Sequence, residues 1–261
     1  MRKYIHKLQN RIAQNKKLFV VYSIFRVLVG LTAVRCIFTR NYESLSLCIL
    51  SLILFLIPSF LEEKLRVSIP ASFQMIIYAF IFAAEILGEV DKYYTAIPGW
   101  DTMLHTLNGF LCAAIGLSLV YIMNRGSKSL NLTPLYLAIM AFCFSMTIGV
   151  LWEFFEFSAD QLFFLDMQKD FIVSDIGSLT LDETNSQIPV HVCNIVKTTI
   201  ETADGSKVVI DGGYLDIGII DTMKDLFVNF IGAVVFSILG YFYEKTHDEH
   251  SVAAGLLIRP R

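Results

Sequence analysis

The chain has 261 residues, 55% of them hydrophobic and only 17% charged, where a soluble domain of this length carries about a quarter charged. A net charge of −3 excludes a bulk electrostatic pull toward nucleic acid or toward an acidic partner. The five cysteines show no CxxC and no Cys/His metal spacing, so neither a disulfide framework nor a zinc-finger-type site is expected. The apolar residues come in blocks, and a block of about 18 or more residues crosses a hydrocarbon core roughly 30 Å thick. The expected fold class is an all-α polytopic membrane protein.

In chain order, residues 1–17, MRKYIHKLQNRIAQNKK, form a basic arm. The run from Leu18 to Phe38 is longer than a signal-peptide core, carries Arg26 and Arg35, and is followed by no A-x-A site. It reads as an uncleaved first transmembrane helix. Further spans are expected at Ser44 to Leu61, Ala71 to Gly88, Trp100 to Met123, Pro134 to Ala159 and Ile217 to Tyr243, six in all. Pro58 falls near the end of the second, where proline does least harm to the helix ladder. Helices one to five thus occupy residues 18–159, a polar insertion 160–216, the sixth helix 217–243 and a tail 244–261. Cys36, Cys48, Cys112 and Cys143 read as small buried hydrophobes, and His247 and His250 as part of a solvated tail. Trp100, Trp152, Tyr93, Tyr94 and Tyr214 suit an interfacial aromatic belt.

Lys and Arg in the loops set orientation. The arm holds Arg2, Lys3, Lys7, Arg11, Lys16 and Lys17, and the same side would hold Lys64, Arg66, Arg125, Lys128, Lys245, Arg259 and Arg261. Both termini are expected in the cytoplasm, with the insertion outside. Within the insertion, IVKTTIETADGSKVVIDGG alternates β-branched and polar residues around Asp204-Gly205, the signature of a hairpin closed by a tight primed turn. A hairpin is expected from about 195 to 210, with Val190 to Val192 as a further strand. So small a sheet needs a partner surface. It is either a cap over the helix ends and a site beneath them, or a disordered or purely structural loop.

Three spans carry polar stripes. At about 100 degrees per residue, Asp101, His105, Asn108 and Cys112 share one face of the fourth span. Glu153, Glu156 and Asp160 share a face of the fifth, and Asp221, Asp225, Asn229 and Gly232 a face of the sixth. All three stripes sit toward the expected outer end. At about 1.5 Å rise per residue, His105, Glu156 and Asp225 lie roughly 6 Å deeper than Asp101, Asp160 and Asp221. Asn108, Glu153 and Asn229 lie roughly 10 to 12 Å deeper. Because charge in lipid is costly, the stripes are expected to face one another around a polar pocket.

Acids outnumber cations there. Asp101, Glu153, Glu156, Asp160, Asp221 and Asp225, with Glu85 nearby, are set against Arg35, Lys224, Lys92 and a protonated His105. Such a cluster must protonate, bind a cation or pair with a base. Asp101, His105, Glu153, Glu156 and Asp225 suit a divalent metal such as Mg, Mn, Zn or Fe. Arg35 and hydrogen bonds neutralising the acids as structural glue remain an open alternative. His105, Glu156 and Asp225 are the candidate acid/base groups, and Asp101, Asn108, Glu153, Asp160, Asp221, Asn229 and Arg35 the candidate binding residues. Arg26, deeper in the first span, suits an anionic lipid group or, more commonly, an acid partner. Gly232 and Gly240 suit close helix packing. No H-E-x-x-H or G-x-S-x-G motif is present.

The segments WDTMLHTLNGF, GVLWEFFEFSADQ and DTMKDLFVNFIGA together resemble the YjdF-like family of bacterial inner-membrane proteins. The residues that carry the likeness are Asp101, His105, Trp152, Glu153, Glu156, Asp221, Asp225 and Asn229. A looser similarity links the stripes to VanZ-like envelope proteins. The resemblance implies a bacterial inner-membrane location and a shared site, and names no reaction; the long insertion lies outside the family pattern. Three functions stay open: an enzyme or binding protein for an envelope lipid or its head group, a cation- or proton-coupled transporter, and a structural or partner-binding module. The inner halves of spans four to six, AAIGLSLVYIM, LYLAIMAFCFSM and AVVFSILGYF, are apolar, which weighs against a continuous polar route.

Overall fold

The computed structural model describes residues 15–126 and 132–261. Among the described residues six helical segments are long and apolar enough to cross a membrane, and the strands form only separate two-stranded pairs. The chain is therefore an all-α polytopic membrane protein with small β elements. The basic arm up to residue 14, with Arg2, Lys3, Lys7 and Arg11, and Lys128 after the fourth span lie outside the described residues.

Helix α1 runs Lys16–Phe38, its first turn closed by the Asn15 side chain, which accepts from Leu18 N–H at 3.3 Å. Asn41 caps α2 (Tyr42–Leu54) in the same way, accepting from Ser44 N–H at 3.1 Å. The second span is not one continuous helix. It breaks at Phe55-Leu56 and resumes as α3, Ile57–Lys64. Pro58 has no N–H to donate to Leu54, so the ladder is interrupted there rather than merely ended. The third span begins as α4, Ala71–Ile81, and widens into a π-helix over Phe82–Val90. Asp91 N–H reaches back five residues to Ile86 at 2.9 Å. The Trp100 indole donates to the Ala83 carbonyl at 3.3 Å, in keeping with the looser carbonyls of a π segment. After a short turn, α5 (Tyr93–Ala96), come α6 (Trp100–Gly126), α7 (Pro134–Phe163) and, after the insertion, α8 (Ile219–Thr246).

By internal contacts the chain falls into two compact units, residues 1–149 with 228–261, and residues 150–227. The division runs through α7 and α8, so each of these helices belongs partly to both. The first unit has two cores. In one, Tyr22, Phe55 and Tyr78 from α1, α2/α3 and α4 pack ring against ring at centroid distances of 5.2 to 6.5 Å. In the other, Leu111, Ala114 and Leu117 of α6 meet Phe236 of α8. Here backbones approach closely: a Cβ added to Gly109 would lie 2.1 Å from the Asn229 carbonyl oxygen, and one on Gly232 2.0 Å from that of Thr106. The glycines serve helix packing, as in other small-residue crossings.

His247 and His250 are exposed, as expected of a solvated stretch, but the chain beyond residue 252 packs back onto the helices. Ala253, Ala254, Leu256 and Leu257 are buried in the α6/α8 core. Arg259–Pro260 (β8) pairs antiparallel with Val67–Ser68 (β1). Arg261 lies 3.3 Å from buried Glu62, whose other oxygen accepts from Ile69 N–H at 2.9 Å. Short apolar runs such as AAGLLI, too brief to cross a membrane, hide this docking from composition. Cys36, Cys48 and Cys112 are buried, but Cys143 is exposed, on a face of α7 that lipid can cover.

The second unit holds the insertion. Three antiparallel pairs form: β2 (Ile172–Val173) with β7 (Tyr214–Leu215), β3 (Ile176–Ser178) with β4 (Val190–Val192), and β5 (Lys197–Glu201) with β6 (Lys207–Asp211). The β5–β6 pair is the expected hairpin, but its turn is not a two-residue primed turn. Gly205 N–H donates to Thr202 and Thr202 N–H to Ser206, both at 2.9 Å. Only Gly205 in this loop has positive φ (84°). This is the three-residue loop of a type I turn closed by a glycine bulge, which needs one left-handed residue instead of two. Val190–Val192 is a strand, paired with residues 176–178 rather than with the hairpin.

Candidate functional site

The polar stripes lie on the N-terminal halves of α6 and α8, with Ser145, Met146 and Gly149 of α7 against them. On α6, His105 Nε2 lies 3.5 Å from Asp101 Oδ1, one turn earlier on the same face. Three residues further, Asn108 Nδ2 donates to Asn229 Oδ1 of α8 at 3.3 Å, and Cys112 Sγ lies 3.5 Å from Asn108 Oδ1. Asn229 is only 1% exposed, and its own amide nitrogen approaches Met146 Sδ at 3.7 Å. Ser145 Oγ donates to the Gly109 carbonyl at 2.7 Å. Polar side chains thus bridge α6, α7 and α8 where Gly109, Gly149 and Gly232 leave room for them. Sequence reasoning missed Ser145 and Gly149. Their spacing of four residues on α7, small and on one face, was the available signal.

One turn before Asn229 on the same face of α8 stands Asp225, 1% exposed. Asp101, His105 and Asp225 each offer one ligand atom, and these atoms all lie within 4.8 Å of one another. That spacing suits a single cation held by two carboxylates and an imidazole. Glu153 and Glu156 of α7 are buried but are not members of this group of three. Glu156 Oε1 accepts from the Trp152 indole at 2.8 Å.

Asp160 and Asp221 have different tasks. Asp160 accepts from the backbone N–H groups of Met167 and Gln168 at 2.7 and 2.9 Å. Asp221 accepts from Lys169 N–H at 2.8 Å. Both carboxylates therefore tie the first turn of the insertion to the helix ends. Asp216, which the helical pattern does not single out, completes the tie, accepting from Phe171 N–H at 2.6 Å and capping α8 through Ile220 N–H at 2.8 Å. Arg35 is engaged elsewhere: its Nη2 lies 2.6 Å from Asp91 Oδ1. Asp91, directly after the third span, was legible as a charge at that helix end but not as Arg35's partner.

Charge on the insertion is tuned locally. The Thr184 and Ser186 hydroxyls hold Asp182 down at about 2, and the Thr202 and Ser206 hydroxyls do the same for Asp204. Asp170 is pushed up by desolvation and by Asp166, Asp216 and Asp160.

Comparison with known proteins agrees with this architecture. An uncharacterized protein of Thermotoga maritima is 27% identical over 105 residues, 40% of this chain. The match spans 53% of that relative, about half its length. No solved structure matches. The family model described as "Predicted membrane protein (DUF2238)" matches residues 19–246, which take in the insertion and every residue of the three stripes. The chain belongs to the DUF2238 family of predicted membrane proteins.

Proposed function

We propose that this is a bacterial inner-membrane protein whose Asp101, His105 and Asp225 hold a divalent cation, and that the site binds or acts on the head group of an envelope lipid. Both termini are assigned to the cytoplasm on the charge of the loops, and the narrower YjdF-like assignment is part of the same proposal. The observation that carries the reading is the convergence of three ligand atoms within 4.8 Å. Charge supports it. Two carboxylates beside one imidazole form a donor set that a divalent cation complements in charge.

A cation held by three protein ligands keeps open positions that an anionic head-group oxygen can fill, and it would polarise that group. His105 and Asp225 act as ligands. Glu156, whose Oε1 accepts from the Trp152 indole, and Glu153 are the acid/base candidates of this reading. Asn108 and Asn229 close the site on one side, and beyond them Ala113, Ala114, Leu117, Ala233 and Phe236 are buried and apolar. The buried residues beyond are mainly apolar, interrupted by Ser118 and Ser237, which favours a one-sided site over a transporter.

Metal analysis of the purified protein after incubation with Mn or Zn tests the reading. One ion per chain is expected in the wild type and in Asp91→Asn, and none in His105→Ala or Asp225→Asn. Equal metal content in all four, or none in any, rejects it.

A further inference from the structure

We propose that the face of α1 around Arg26 docks a transmembrane helix of another protein that carries a carboxylate near the middle of the bilayer. Arg26 lies ten residues after Lys16 and twelve before Phe38, the ends of α1. At about 1.5 Å per residue this puts it close to the midplane of a core roughly 30 Å thick. Intramembrane arginine is costly, and it is retained where a partner or a function requires it.

Among the described residues Arg26 has no such partner. It is exposed. Its contacts are the Tyr22 hydroxyl, at 3.2 Å from Nη1, and the Tyr22 ring, with its guanidinium carbon 5.3 Å from the centroid. Among the described residues no carboxylate pairs with it, in contrast to Arg35 and Asp91 on the same helix. Tyr22 belongs to the buried face of α1 with Leu18, Val29 and Cys36, so Arg26 stands at the margin of that face. One turn on, Gly30 shares its side of the helix, and a Cβ added there would meet nothing within 4 Å. A guanidinium beside an open glycine lets a second helix approach closely and bond to the charge.

Charge complementarity specifies a carboxylate. A second copy of this chain does not supply it. The exposed acids of the other spans, Glu43 and Glu89, stand at helix ends, and Glu153, Glu156 and Asp225 are buried. A lipid phosphate sits at the interface, about 15 Å from the midplane.

The test uses the full chain in zwitterionic vesicles and a polyleucine transmembrane peptide with one central Glu, association being read by energy transfer. Wild type should bind the Glu peptide and not its Gln counterpart. Arg26→Leu should weaken binding on the order of tenfold. Arg26→Glu should switch preference to a peptide with a central Lys, and Gly30→Leu should weaken binding while the protein remains folded. Equal binding of the Glu and Gln peptides, or no effect of Arg26→Leu, overturns the proposal. So does Arg26-dependent self-association, or displacement of the peptide by phosphatidylglycerol added to the vesicles.

Discussion

The α6–α8 crossing and the α1–α2–α4 cluster are both made of apolar helices, yet they are held together differently. At the crossing, backbone meets backbone across Gly109 and Gly232, and the gap is bridged by the Asn108–Asn229 hydrogen bond. In the cluster, aromatic rings stand between the helices: Tyr22 against Tyr78 at 5.2 Å and Phe55 against Tyr78 at 5.6 Å. Lipid supplies no hydrophobic drive for helices to associate. Each contact must therefore rest on packing or on polar bonds. Short amide side chains span a gap only when no Cβ holds the backbones apart. The site residues accordingly share their helices with the glycine crossing, and the aromatic cluster carries scaffold.

Breaking the crossing should have the largest effect. Gly232→Leu puts side-chain atoms where the Thr106 carbonyl already stands, with no flexible neighbour to give way. Loss of monodisperse protein on size exclusion in detergent is expected. Gly30→Leu, in open space on α1, should leave the elution profile unchanged. If both variants behave alike, the distinction between the regions fails.

Next in size is the aromatic cluster. Phe55→Ala removes a fully buried ring and should cost about 3 kcal/mol, the low end for such truncations, read as a lower thermal midpoint. Metal content should not change, because the scaffold is separate from the ligands.

A smaller effect is expected at the amide bridge. Asn229→Ala removes the partner of Asn108 and should cost about 1 kcal/mol, within the range for interhelical hydrogen bonds in bilayers. A cost similar to that of Phe55→Ala would mean that the asparagine pair, not the glycines, dominates the crossing.

The smallest effect lies in the insertion and depends on pH. Asp182 and Asp204 are lowered from 3.8 to about 2 in the folded state. A carboxylate lowered on folding stabilises its loop above the unfolded value, and the contribution fades as pH falls through the folded one. Amide protection factors in residues 182–186 and 202–206, taken relative to intrinsic exchange at each pH, should be flat from pH 7 to about 4 and fall toward about pH 2. Helix amides should be unaffected.

Much of this molecule was legible in its residues. The six spans follow from apolar run length, with ends shifted by a few residues. The hairpin followed from alternation around Asp204-Gly205, although one glycine in the left-handed region, not two residues, closes the loop. The break before Pro58 and the π segment at Phe82–Val90 were not read, because each depends on which carbonyls lose or change their donors. Asp160, Asp221 and Asp225 look equivalent on a helical wheel. Only the path of the insertion distinguishes them, bringing Met167, Gln168 and Lys169 N–H groups onto the first two.

What the residues determine by themselves is what repeats locally: hydrophobic blocks long enough for a bilayer, and polar groups recurring every three to four positions on one helix face. Those signals need no knowledge of distant chain. What only the tertiary structure decided is pairing across distance. It gave Arg35 to Asp91, left Arg26 without an acid among the described residues, folded residues 253–257 into the α6/α8 core, and brought Asp225 to Asp101 and His105. Partner choice depends on where helices cross and loops return, and many crossings are compatible with the same apolar faces. Steric fit at Gly109 and Gly232 selects among them, through contacts between residues more than a hundred positions apart.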